Sequence, residues 1–191
     1  MFADDCKFFR QILSNEDTEI MQEDLDTLHE WSKKWLLKFH PDKCVNLRIS
    51  LNKQPEVHTY HLGNNELKNV EEVKDLGIIV DSKLKFQKHT STKVNKANQI
   101  WGTIKRTFKH MNSYIFKKLF CAHVRSHLEY AIQFWAPYLR KDINQIESVQ
   151  RKATKYIPGY KDRSYTQRLK DLDLPTLAYR RLRGSMIEVY K

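Results

Sequence analysis

Val73-Lys74-Asp75-Leu76-Gly77-Ile78-Ile79-Val80, followed at once by Asp81-Ser82-Lys83-Leu84-Lys85-Phe86-Gln87-Lys88-His89, is the stretch on which the reading of the fold turns. Its first eight residues are the most apolar strand candidate of the chain and predict a strand over 73–80. After about Ser82 the pattern changes. Apolar residues then recur at three- and four-residue steps, the spacing of amphipathic helices. A boundary near 82–88 therefore divides a mixed part, 1–82, from an all-helical part, 83–191, and the expected class is α+β.

Upstream of that boundary, residues 6–13 (CKFFRQIL) read as a short strand, and Ser14-Asn15-Glu16-Asp17 as a turn able to cap a helix. Met21, Leu25, Leu28, Trp31, Trp35 and Phe39 predict that helix over about 18–39, stopped by His40-Pro41. Alternation of Val45, Leu47, Ile49 and Leu51 predicts a half-buried strand, and 57–62 a second. Gly63-Asn64-Asn65 is turn chemistry that lets 66–70 pair back as a hairpin. One helix on a small antiparallel sheet is the expected result. With few neighbours to pair with, the strand near the N-terminus is expected to be exposed and residues 1–13 mobile.

Downstream, Val94, Ala97, Trp101, Ile104 and Phe108 mark one helix, and Ile115, Leu119, Val124 and Leu128 another reaching about Trp135. Ile143, Ile146, Val149 and Ala153 mark a third, and 165–172 and 176–190 suggest two more, giving a bundle of four or five.

Charge is distributed as unevenly as structure. Residues 1–30 carry two basic and nine acidic side chains, 31–82 eight and seven, and 83–191 twenty-four and seven, so the balance runs −7, +1, +17 within a net +11. A polyanion suits the last part, although a solvated surface needs no partner. Lys93, Lys96, Lys105, Arg106, Lys109, Arg151, Lys152, Lys155, Arg180, Arg181 and Arg183 lie on the predicted helices and are suited to track backbone phosphates, which ask for charge rather than base readout. Trp101, Tyr156 and Tyr160 could stack on bases, against the commoner alternative that helical aromatics are core. Cys6, Cys44 and Cys121 are odd in number and far apart, which fits a reducing compartment. No apolar run is long enough to span a membrane, and the start Met-Phe-Ala-Asp-Asp does not read as a signal peptide, so an intracellular location is expected.

Asp4-Asp5 is the sharpest chemical feature. Adjacent carboxylates flanked by Phe2 and Phe8-Phe9 fit a hairpin tip that holds hard divalent cations; the alternative is an ordinary acidic turn. His123 and His127, four apart, have helical zinc spacing but no HExxH glutamate and no evident third ligand.

The order of these pieces resembles the reverse transcriptases of non-LTR (LINE-type) retrotransposons, over nearly the whole chain. Phe-Ala-Asp-Asp at 2–5 is similar to their polymerase hairpin box. Leu25-Asp26-x-Leu28-x-x-Trp31-x-x-x-Trp35, then Phe39-x-x-x-Lys43-Cys44, looks like the palm helix and the lysine-bearing segment after it. Val73–Ile78 looks like the primer-grip strand, continuing into Asp81-x-x-Leu84-x-Phe86-x-x-His89. Val124-Arg125-x-His127-Leu128-Glu129-Tyr130-Ala131-x-x-x-Trp135-x-Pro137, Ile146-Glu147-x-Val149-Gln150-Arg151 and Leu174-x-x-Leu177-x-x-Arg180-Arg181-x-Arg183-Gly184 are similar to the helical thumb. His40, Ser126 and Ser185 depart from the family's usual Asn, Pro and Asp.

The resemblance implies a partial palm over 1–82, with Asp4 and Asp5 as carboxylates for two Mg²⁺, Lys43 beside the incoming triphosphate and Leu76-Gly77 as primer grip. The alternative for Lys43 is a cation at a helix C-terminus. It implies a basic thumb over 83–191, an RNA template, a DNA primer and deoxynucleotide triphosphates as partners, and a nuclear or cytoplasmic ribonucleoprotein. In the family the fingers and a third carboxylate precede the Asp-Asp box, and only Met1 precedes Phe2 here. The chain by itself is therefore expected not to polymerise. The competing class is a non-catalytic nucleic-acid-binding module derived from a transposon.

Overall fold

Ser14 opens the first helix by a reciprocal cap: its hydroxyl accepts the Asp17 N–H, and the Asp17 carboxylate accepts the Ser14 N–H at 2.9 Å. In the computed structural model, which describes residues 6–52 and 58–190, this helix, α1, spans Asn15–Lys34. It stops five residues before Phe39 because Leu36 turns left-handed, φ 57°. The Leu37 and Leu36 amides then bond back to the Ser32 and Lys33 carbonyls at 3.0 and 3.2 Å, a helix ending that usually employs glycine. Trp31 and Trp35, expected on the inner face, are 43% and 59% exposed, while Phe39 packs on the core from outside the helix.

A 3₁₀ turn, Pro41–Lys43, leads to β1 (Val45–Leu47). β2 (His61–Leu62) and β3 (Asn65–Glu66) form the hairpin expected at Gly63-Asn64-Asn65, with Gly63 at φ +62°. β4 (Lys68–Val70) does not extend an antiparallel sheet. It pairs parallel to β1, Val45 opposite Lys68 and Leu47 opposite Val70, because the long connection 48–67 supplies the crossover that parallel strands need. The strand expected over 45–51 is confined to β1, and residues 6–12 form no strand. Leu25 of α1 packs with Tyr60, Leu62 and Leu67, joined by Met21, Phe39 and Cys44. Gln22 fastens α1 to β2 as a surrogate peptide: its Oε1 accepts the His61 N–H at 2.9 Å and its Nε2 donates to the His61 carbonyl at 3.0 Å.

The stretch 73–80 is a hairpin, not one strand. β5 (Glu72–Asp75) and β6 (Ile78–Asp81) are joined by Leu76-Gly77, whose φ angles of 44° and 81° give the doubly left-handed turn that matches strand twist. Two compact units result. One takes the described residues up to Val73 with Asp81–Leu84; the other takes Lys74–Val80 with Lys85 onward, so the hairpin tip belongs with the helices.

The second unit contains α2 (Gln87–Thr107), α3 (Ser113–Leu119), a π-helical stretch (Phe120–Arg125), α4 (Ser126–Glu129), α5 (Ile132–Trp135), α6 (Arg140–Thr154), α7 (Tyr165–Asp171) and α8 (Leu177–Val189). The α2 stripe Val94, Ala97, Trp101 and Ile104 is buried, as are Ile146, Val149 and Ala153 of α6. Trp101 meets Phe116, Phe120 and Tyr156 edge to face, with centroids 5.5, 6.4 and 5.7 Å away, which assigns it to the core. The helix expected to run to Trp135 breaks at Tyr130-Ala131, where Ala131 is left-handed at φ 49°. No helix among the described residues is long and apolar enough to cross a membrane.

Candidate nucleic-acid interface

Between Asp81 and Glu129 the chain has eleven Lys and Arg and no acidic residue. α2 is built from that stretch, so its polar face is positive by construction. Lys96, Lys105 and Arg106 of α2, and Lys109 just after it, are exposed. On α6, Arg151 and Lys152 are exposed in the last turn and Lys155 just beyond. α6 adds no free negative charge, because Asp142 and Glu147 are both buried.

Tyr156 ties the two basic ends together. It follows α6, yet its hydroxyl donates to the Lys105 carbonyl at 3.4 Å, and the Lys105 ammonium lies 6.0 Å from its ring centroid. Arg151 stacks over Tyr165 at 5.1 Å and Arg163 over Tyr160 at 4.7 Å. Such pairs keep the cations oriented and partly desolvated; Arg163 is also ion-paired to Asp171 at 2.5 Å, so Arg151 is the free cation of the two stacks among the described contacts. The arrangement can hold a polyanion along the C-terminal ends of α2 and α6.

The remaining predicted contacts divide. Arg183 is exposed. Arg180 is committed to Glu129, with Nη2–Oε2 2.9 Å and Nε–Oε1 2.5 Å. Arg181 is buried, and burial lowers its proton affinity, partly offset by nearby Glu147. Lys93 is half-buried over the Tyr130 ring at 5.4 Å; burial, then repulsion from Lys74, depresses its pKa.

Leu76 and Gly77, the primer-grip candidates, are the hairpin tip. Leu76 is partly exposed, its carbonyl accepts the Tyr130 hydroxyl at 3.1 Å, and a Cβ on Gly77 would sit 3.8 Å from the same ring. His89 supports β6 from α2. Its Nδ1 accepts the Ile79 N–H at 3.1 Å, its ring stands edge-on to Trp135 at 4.6 Å, and burial, then Lys93, pushes its pKa down to about 4. Neither Tyr130 nor His89 stood out as a functional residue in the sequence. The signal available was their place in motifs spaced like Trp135 and Phe86, with nothing local to indicate a contact.

In the first unit Lys43 is exposed at the end of the 3₁₀ turn. It is not a helix-end cation of α1, whose last turn carries Lys33 and Lys34. A mostly apolar cavity of about 400 Å³ lies between His29, Leu36, Phe39, Cys44, Leu62 and Leu67, and burial raises the Cys44 thiol. Asp4 and Asp5 lie outside the described residues. Among the described ones no group of three or more His, Cys, Asp and Glu could hold a metal; His123 is exposed, in the π-helical stretch.

Comparison with known proteins agrees with the sequence resemblance. Over 151 residues, 75% of the chain, it is 28% identical to the RNA-directed DNA polymerase from mobile element jockey of Drosophila funebris. It is 26% identical over 161 residues to the probable RNA-directed DNA polymerase from transposon BS of Drosophila melanogaster, and 22% identical over 166 residues to that from transposon X-element of the same fly. The chain spans only 16–18% of the length of these relatives. No family model and no solved structure matches it. The chain is thus similar to one portion of each of these RNA-directed DNA polymerases of mobile elements.

Proposed function

We propose that this chain is the palm-end and thumb part of an RNA-directed DNA polymerase of a non-LTR retrotransposon, and that its helical unit grips the template–primer duplex by its phosphates. The observation that carries the reading is the convergence, around Tyr156, of exposed cations from the ends of α2 and α6, with both carboxylates of α6 buried. An RNA–DNA duplex is held mainly by phosphate contacts, and such binding is salt-dependent and nearly blind to sequence. The interface proposed is Lys96, Lys105, Arg106, Lys109, Arg151, Lys152, Lys155 and Arg183, with Lys93 at the hairpin tip.

Lys43 is proposed as the triphosphate-side lysine and Leu76-Gly77 as the primer grip, on the resemblance. Polymerisation of this kind draws on divalent metal, and Asp4 and Asp5 are the carboxylates proposed for Mg²⁺. Both lie outside the described residues.

Binding of a labelled RNA–DNA hybrid against salt tests the reading. A site neutralising roughly five phosphates gives a log–log slope of about −4, hence a loss of well over tenfold between about 50 and 200 mM salt. Reversing Arg151, Lys152 and Lys155 to Glu should reduce affinity and flatten the slope. Affinity that is flat with salt, or unaltered by the triple reversal, would refute the interface.

A further inference from the structure

We propose that Arg168, too deeply buried to touch a ligand, is a positioning residue of the nucleic-acid interface: it clamps the start of α7 to the end of α6 and so sets the Tyr165 ring beneath Arg151. The inference rests on the nucleic-acid reading above and deepens it, by naming what shapes the α6 side of that interface.

Arg168 is 2% exposed, yet its described hydrogen-bond partners are all neutral. Its Nε donates to the Thr154 hydroxyl at 3.0 Å, its Nη2 to the Arg151 carbonyl at 3.3 Å and its Nη1 to the Arg163 carbonyl at 2.7 Å. Arg151 and Thr154 lie in the last turn of α6, and Arg163 stands just before Ser164, which caps α7. The three bonds therefore close the loop between the two helices. The Arg151 carbonyl, which has no partner within its own helix end, also accepts the Thr154 hydroxyl at 3.2 Å. Burying a charge without a counter-ion costs stability. What a guanidinium supplies in return is a rigid set of donors that reaches three acceptors in divergent directions.

The consequence falls on Tyr165, the first residue of α7. Its ring centroid lies 5.5 Å from the Arg168 guanidinium and 5.1 Å from that of Arg151, so one ring carries two cations, one buried and one exposed. The Tyr165 hydroxyl donates to Glu147 and accepts the Gln150 Nε2 at 3.1 Å, which fixes the far edge of the ring. Arg151 is thereby held over a platform that cannot turn. A guanidinium so held keeps its outward N–H groups for another acceptor, and those of Arg151 have no partner among the described contacts. They form a fork that matches the two unesterified oxygens of one phosphodiester. Arg168 touches no phosphate, but it decides where that fork points.

The test uses the whole chain, a labelled RNA–DNA hybrid, and affinity measured across about 50–200 mM salt. Arg168→Lys keeps the charge and loses the three-way geometry. It should lower the magnitude of the salt slope by about one, the share of a single phosphate, although no exposed charge has been removed. A purely structural role would lower Tm and leave the slope of the folded chain at the parent value. Proton NMR gives a second readout that needs no ligand. The Arg151 side-chain protons, shielded by the Tyr165 ring in the parent, should move towards their unstacked positions in Arg168→Lys, as they do in Tyr165→Leu. Thr154→Val is nearly isosteric and removes the hydroxyl that Arg168 Nε bonds. It should move both readouts the same way by a smaller amount, and it carries the test if Arg168→Lys fails to fold. Parent slope with parent Arg151 shifts would overturn the clamp. Parent slope with displaced Arg151 protons would overturn its part in binding. Binding by the parent chain that is flat with salt would refute the interface itself, a failure told apart by Arg151 protons that still move in Arg168→Lys.

Discussion

Arg180 of α8 grips Glu129 of α4 with two parallel hydrogen bonds, and the pair joins segments fifty-one residues apart. Arg125, one turn back on the same face, approaches the same carboxylate at 3.6 Å. A cation held in a fork by a carboxylate is a strut of the fold rather than a free phosphate ligand.

Arg180→Ala is accordingly expected to leave the salt slope of nucleic-acid binding unchanged. It should destabilise the chain by about 1 kcal/mol, a figure kept small because the pair is about one-third exposed. Arg183→Ala should do the reverse, lowering the slope with little effect on thermal unfolding. Equal slopes for both variants would show that Arg183 is not a phosphate contact.

Glu147 presents a larger effect. Its Oε2 accepts the Ala178 N–H at 3.1 Å and its Oε1 the Leu177 N–H at 3.3 Å, capping α8, and the Tyr165 hydroxyl also donates to Oε1. Burial, then Glu147 itself, pushes the Tyr165 phenol far above its usual range. Glu147→Ala should cost about 3 kcal/mol, roughly 6–12 °C in Tm, because buried donors lose their acceptor. Tyr165→Phe should cost less than half as much, as measured by thermal unfolding.

His89 gives the helical unit an acid sensitivity of definite sign. Its pKa is about 4 in the folded chain against an ordinary 6.5, so folding favours the neutral ring. That contribution is intact above pH 6.5 and is lost as pH falls through 6.5 towards 4, reaching about 3 kcal/mol by pH 4. His89→Gln, which retains an acceptor for Ile79, should flatten this part of the stability–pH curve. An unaltered curve would assign the acid sensitivity elsewhere.

Gly63 is the glycine with the tightest surroundings. At φ +62° a side chain is strained, and a Cβ would lie 2.4 Å from His29 Nε2. Gly63→Ala should therefore destabilise the first unit by about 1–3 kcal/mol, read by amide exchange in α1 and β2. Gly102, around which a Cβ meets nothing within 4 Å, is the matched control, expected to tolerate alanine or gain from it.

Primer extension on a poly-A template with Mg²⁺ should show no incorporation by a polypeptide of these 191 residues, which match about a sixth of each polymerase relative. Incorporation abolished by Asp4→Asn would show that these residues suffice for catalysis.

What could be read in advance follows from how local each determinant is. The Ser14–Asp17 cap, the turn at Gly63 and the apolar stripes of α2 and α6 are set within a few residues, and each element formed where its pattern lies. The failures cluster at left-handed residues other than glycine. Leu36 ends α1 early and Ala131 breaks a helix, each without a proline or glycine at the critical position, while Leu76, with Gly77 after it, folds one expected strand into a hairpin. Such conformations are held by tertiary contacts, such as Tyr130 on the Leu76 carbonyl, that no short window contains. The site divides in the same way. Residue type announces a cation, but only the fold tells Lys155, which faces solvent, from Arg180, which is tied to Glu129, or Arg181, which is buried.

Phe116, Phe120, Val124 and Leu128 are all essentially inaccessible to solvent although they repeat strictly every fourth residue. In an ordinary α-helix each four-residue step overshoots a full turn by about 40°, so the fourth member would have swung well off the line of the first. The π-helical stretch from Phe120 to Arg125 has wider turns, which undershoot, and the two errors cancel. The segment thus works as a phase corrector: it keeps a period-four sequence on one straight seam of the bundle. Removing a single residue between 120 and 125 would leave composition and hydropathy almost untouched, yet would rotate everything downstream, Glu129 and Tyr130 included, relative to the partners they now meet.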